Sequence, residues 1–398
     1  MPIRTRSIKI NPKKTPSTSR ETKPCYFLSI HDIIQNILNN PSLYNTLYFG
    51  PGIEAEEKKE YWHGDLWAES PLFGQDKIII NGGKEAFPVK RNIKTWFIII
   101  IINTYTVYIT LYLEIYHPSE FVIYKENGNR RFGRIRSIIS VNDELQIKIQ
   151  WVYTYNELPN NFHCNTRSNT SESQLWLVDQ YLQEGSIITN TNKIVKKIDI
   201  TIVRDSTIIT DGLFIKTILY KNHGHWKLRD ATLDYMHPCE YSILNPPPLQ
   251  YNNLRVLKIF IDIYYDDFGT YRNVYHSLGG VYIQIGNMPF DMRKHLRNHF
   301  VLGFVPFGGY FEDFIQPFIR DMKQLEKGVL MNVQEIDCWV IAGLGCVTAD
   351  LPQGNDLTGV KRHGAIKGCR TCLIAKENAT DITLDIANIF RYYYITNT

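Results

Sequence analysis

Three consecutive prolines, Pro246, Pro247 and Pro248 in "NPPPLQ", cut the chain in two. Proline lacks the N–H that a strand ladder or helix needs, so neither element continues through this stretch. A domain boundary is expected there. With 398 residues, 44% of them hydrophobic and 13% aromatic, each side has enough apolar surface for its own core.

Beyond the prolines the elements follow in a definite order. "RVLKIFIDIYYDD" reads as a strand apolar on both faces, "GGVYIQIG" and "HFVLGFVPF" as two more, with "FDMRKHLRN" as a short helical connection. "YFEDFIQPFIRDMKQLEKG" then places Phe311, Phe314, Ile315, Phe318, Ile319, Met322 and Leu325 at helical spacing and ends at Gly328. Pro317 should kink that helix or shift its start. "CWVIAGLGCVTAD" closes the series as an apolar strand ending in an acid. Three strands, a helix and a fourth strand are the order of an RNase H-like core, with Asp262, Asp266 or Asp267 to supply a carboxylate on the first strand and Asp350 one at the end of the fourth. Carboxylates held close together repel unless divalent cations lie between them. Mg²⁺ or Mn²⁺ pairs about 3.5 to 4 Å apart activate an attacking oxygen and stabilise a leaving one, the chemistry of phosphodiester cleavage.

Before the prolines the texture differs. From residue 119, "EFVIYKEN", "RFGRIRSIISV", "ELQIKIQWVYTY" and "LWLVD" alternate with period 2 between Asn-Gly and Asn-Asp turn signals, which predicts a small β-barrel over 119 to 205 within a β-rich domain reaching 245. Residues 25 to 118 hold an amphipathic stretch around "SIHDIIQNILNN" and an apolar run, "WFIIIIINTYTVYITLYLEIY", at 96 to 116. Its β-branched and tyrosine content favours strands, its length invites a membrane helix, and its A/T-rich-codon residues also fit a retained intron. Asn103, Glu114 and the absence of a second span argue against a membrane. His223, His225, His237 and Cys239 have the spacing to bring four zinc ligands onto facing strands, although paired histidines on a wet strand face are commoner.

Residues 1 to 24 carry seven basic residues against Glu21 alone, while the whole chain has a net charge of only +4. So few apolar residues predict a disordered tail. Lys9, Lys13 and Lys14 are its candidate DNA contacts, and a nuclear import signal is a second use. The seven cysteines are odd in number and scattered, which speaks against a disulfide framework and for a reducing intracellular setting.

The motifs "YYDDFGTYRNVYHSLGGVYIQIGNMP", "LGFVPFGGYFEDFIQPFIRDMKQLEKG" and "VTADLPQGNDLTGVKRHGAIKGCRTC", in that order over about 252 to 375, resemble the transposase of En/Spm (CACTA) DNA transposons. The strands around Phe121, Gly133, Trp151 and Gln174 to Asp179 resemble the opening of a bromo-adjacent-homology domain. The transposase resemblance implies DNA cleavage and joining at element ends in the nucleus, with Asp266 and Asp350 as catalytic acids and Mg²⁺ or Mn²⁺ as cofactor. It also implies a loop of His363, Cys369 and Cys372 as a candidate structural Zn²⁺ site still short of a fourth ligand. The family's third acid lies farther downstream; Asp385 is a poor substitute, because no strand fits before it. The expectation is therefore an α+β multi-domain chain, a small β-barrel followed by an incomplete RNase H-like α/β domain at 252 to 398, transposon-derived, truncated and inactive. The competing expectation is a non-catalytic DNA- or chromatin-binding protein with no membrane attachment, its oligomeric state open.

Overall fold

The computed structural model describes residues 1–13, 20–69, 77–81, 97–102, 105–110, 113–163, 172–179, 185–203, 212–231, 249–251, 253–269, 277–357, 360–361 and 364–391. The chain falls into two units, one of Met1–Pro51, Ala55–Gly74 and Met236–Thr398, the other of Gly52–Glu54 and Gln75–Tyr235.

In the first unit seven strands make one sheet: β1 (Arg4–Lys9), β2 (Thr22–Phe27), β3 (Arg255–Gly269), β4 (Ser277–Ile285), β5 (Phe300–Val305), β6 (Val329–Val333) and β7 (Ile336–Ala349). Their order across the sheet is β1-β2-β5-β4-β3-β7-β6. Only β3 and β7 run parallel; every other neighbouring pair is antiparallel. Alternation decides what each face carries. Leu257, Ile259, Ile261 and Ile263 of β3 enter the main core with α1 (Ile30–Leu38) and α2 (Phe311–Leu325). Both helices show the expected spacing, and α2 contains Pro317 in its interior. On the other face Phe260 packs against Tyr61 (ring centroids 4.7 Å apart) and Trp67 (6.0 Å).

The expected α+β architecture with an RNase H-like α/β domain is not the one formed: the chain is mostly β, and its sheets curl. Two additions to the sheet and the way it is covered account for the difference. A hairpin of residues from the N-terminal tail, β1 and β2, extends the β5 edge. The strand expected after α2 is also a hairpin, because β6 pairs with β7. The main-core helices cover one face, whereas a 3₁₀ turn carrying Tyr61 and a short helix carrying Trp67 cover Phe260 on the other. The described residues of the tail likewise do not form the disordered segment its composition suggests. Ile8 is 1% exposed and Ile10 7%, and alternation needs only such occasional apolar residues to anchor a strand.

In the second unit the main path of strands is Ile194–Lys197, Phe121–Glu126, Asn129–Val141, Glu144–Tyr153, Gln174–Val178, Phe214–Asn222 and Thr201–Ile202. The two-residue turns behave as turn chemistry requires. Asn127 and Gly128, Asn142 and Asp143, and His223 and Gly224 all have positive φ. Within the apolar run, Phe97–Ile102 pairs antiparallel with Tyr105–Thr110, and Leu113–Tyr116 pairs with Ile78–Asn81. No helix among the described residues is long and apolar enough to cross a membrane.

Candidate functional site

The parallel β3/β7 ladder ends at Tyr265 and Ala349, one residue short of the two predicted acids. Continued by one step, its register would put Asp266 beside Asp350. Paired residues of parallel strands point to the same face, about 4.8 Å apart. Tyr264, two residues before Asp266 and on its face, donates its hydroxyl to Asp266 Oδ2 at 3.0 Å. Partial burial, that hydrogen bond and the charges of Asp266 and Asp350 together raise the Tyr264 phenol above its ordinary value. One phenol thus senses both carboxylates. Asp267 lies on the opposite face, where Tyr265 donates to it at 3.2 Å.

Asp350 also starts a helix. The stretch "LPQGNDL" is α3 (Leu351–Leu357). The Gln353 N–H donates to Asp350 Oδ1 at 3.0 Å and the Gly354 N–H to the Asp350 carbonyl at 2.8 Å. An aspartate in this position satisfies amide groups that the helix cannot bond internally and complements its dipole.

Asp262, the alternative first acid, shares the face of Asp266 but sits about 13 Å back along β3, at ~3.3 Å per residue. It is 4% exposed. The Cys346 N–H donates to its Oδ1 at 2.7 Å, while no donor meets Oδ2 in hydrogen-bonding geometry among the described residues. Burial raises its pKa above the ordinary 3.8, against the lowering influences of Tyr61, the Cys346 N–H and Arg293. Arg293 stacks over the Tyr61 ring at 4.0 Å and is 3.6 Å from Glu60. Asp262 therefore belongs to a buried layer, separate from the acid pair.

Cys369 and Cys372 have sulfurs 3.6 Å apart. With Zn–S bonds of about 2.3 Å, two thiolates of a tetrahedral zinc site lie about 3.8 Å apart, so the pair fits half of such a site. Burial acts to raise the Cys369 thiol, but the facing N–H groups of Cys372 and Thr371 leave it below its ordinary value. Burial pushes the Cys372 thiol up. Arg391 holds the loop through the Cys369 carbonyl at 2.8 Å and the Lys367 carbonyl at 3.0 Å. Asn355 of α3 donates to the carbonyls of Lys361 and Gly368, each at 3.0 Å, and so ties the loop to the helix that Asp350 begins.

His363 and Lys14 lie outside the described residues, as do His237 and Cys239. His223 and His225 are exposed in and beside a hairpin turn. Lys9 and Lys13 are exposed at the β1 end of the sheet, remote from the acid pair. Asp385 precedes the short helix Ile386–Ile389. No group of three or more His, Cys, Asp or Glu side chains placed to hold a metal occurs among the described residues. Sequence reasoning missed Tyr264 and Tyr61; the Tyr-x-Asp spacing within β3 was a usable signal for Tyr264. No protein-family model matches the sequence, and no curated protein matches it.

Proposed function

We propose that this chain is a transposase-derived protein that acts on DNA phosphodiesters, with Asp266 and Asp350 as shared ligands of a divalent cation. The observation that supports the reading is the β3/β7 register, which ends at Tyr265 and Ala349, so that one further step would set Asp266 and Asp350 side by side on one face, near the Tyr264 phenol that feels both charges. The donor set suits the ion: two carboxylates supply hard oxygen ligands, and Mg²⁺ or Mn²⁺ keeps water in its other positions. When bound, the cation supplies charge neutralisation and an acidified water at the phosphate. The chain's residues do the positioning. Tyr264 fixes the Asp266 carboxylate by its hydroxyl, and the Gln353 N–H fixes Asp350. Exposed Lys9 and Lys13 would add salt-dependent attraction to the DNA backbone.

The test is nicking of supercoiled DNA carrying terminal inverted repeats by the full chain with Mn²⁺. Nicking that disappears in both Asp266→Ala and Asp350→Ala is the expected result. Cation-dependent nicking untouched by either substitution contradicts the reading. Salt-dependent DNA binding with no nicking, and no change in Asp350→Ala, would instead favour a non-catalytic binding protein.

A further inference from the structure

Asp262 is an odd residue to find in the middle of a central strand, because burying a carboxylate without a matching cation is costly. The ladder beside it shows what the carboxylate does. Ile261 pairs with Leu344 but Ile263 pairs with Val347, so β7 uses three steps where β3 uses two. The extra residue makes a β-bulge. Two local features hold it. The Cys346 N–H, inside the bulge, donates to Asp262 Oδ1 at 2.7 Å. Gly345 lies against the Phe260 ring so closely that a Cβ there would collide with it.

The bulge decides where Asp350 points. Continued from Ile261 and Leu344 without an extra residue, the register would place Asp266 beside Ala349 and Asp350 beside Asp267. Asp350 would then face away from Asp266, since one step of slip exchanges the faces of a strand. We infer that Asp262 is a positioning residue that clamps the β7 bulge through the Cys346 N–H, and so turns Asp350 onto the face of Asp266. Its importance for activity rests on the proposed cation site; the clamp itself concerns only strand register.

Cross-linking in the full chain separates the two. Neighbouring parallel strands bring Cα atoms to about 4.8 Å, within the disulfide range of about 4.4 to 6.8 Å, but only side chains on one face can bond. Asp266→Cys with Asp350→Cys should cross-link under mild oxidation about tenfold more than Asp267→Cys with Asp350→Cys, read by peptide mass spectrometry. Adding Asp262→Ala should erase or invert that preference, and Asp262→Asn, which keeps the acceptor oxygen, should restore it. Asp262→Leu, which fills the site with an apolar side chain, should act like Asp262→Ala and guards against simple misfolding. A preference unchanged in folded Asp262→Ala and Asp262→Leu chains would overturn the clamp. An intact, Asp262-dependent preference in a chain that binds no Mn²⁺ would support the clamp while removing the cation site.

Discussion

Both units bury an aspartate, and they accommodate its charge differently. In the second unit Asp179 meets Arg229 at 3.2 Å, and Arg229 in turn lies over the Tyr220 ring at 5.0 Å. Acid and base there are matched, and both are buried. In the first unit Asp262 receives the Cys346 N–H and feels the Tyr61 hydroxyl, while Arg293, whose charge also reaches it, is in ion-pairing distance of Glu60. A matched buried pair is structural, and apolar residues of similar volume often replace such a pair at little loss. A buried acid bonded to a bulge has a geometric task, and beyond that bulge lie half-buried Asp266, within β3, and exposed Asp350, just past the end of β7.

The largest effect should come from breaking the matched pair. Asp179→Ala takes the carboxylate away from buried Arg229 and should cost about 3 to 5 kcal/mol in urea unfolding, whereas Asp179→Leu with Arg229→Met should recover most of it. Next comes Gly345→Ala, whose methyl must displace the Phe260 ring; a loss of about 1 to 3 kcal/mol is expected, with less of the Asp266 to Asp350 cross-link.

Asp262→Asn probes the unmatched charge. Because burial raises the folded-state pKa above 3.8, the native state binds the proton more tightly, and wild-type stability should fall as pH rises from about 4 through that raised value. Asn removes this decline, so its advantage over wild type should be absent below the ordinary pKa and full above the raised one. Melting temperatures across pH 3 to 8 check the sign. The smallest effect is kinetic: Cys369, with its lowered thiol, should alkylate with iodoacetamide ahead of Cys372, which is 6% exposed.

Much of the second unit was legible because its turns use residues that tolerate positive φ, as at Asn127-Gly128 and Asn142-Asp143. The β6/β7 hairpin was not, since Gln334 and Glu335 take positive φ without being typical turn residues. What holds that turn is tertiary: the Gln334 N–H donates to Asn39 Oδ1 and its side chain to the Leu38 carbonyl, each at 2.8 Å. The same holds for the tail, whose strand depends on Ile8 finding the core. In "DLPQGNDL" a glycine by itself favours a loop, yet Asp350 and Pro352 are helix-start residues. Asp350 directly follows β7, as an apolar run ending in an acid suggests, whereas β3 runs on past Asp266 to Gly269. A common face for the two acids could not be read from the sequence, because it depends on a bulge that nothing in "AGLGCVTAD" announces.

The central claim is that Asp266 and Asp350 act as one site, and Mn²⁺ binding to the full chain, followed by electron paramagnetic resonance, tests it most directly. A bound Mn²⁺ signal that is lost in Asp266→Asn and in Asp350→Asn, and kept when Cys369 and Cys372 are both changed to Ser, is the predicted result. A signal that survives both aspartate substitutions would contradict it.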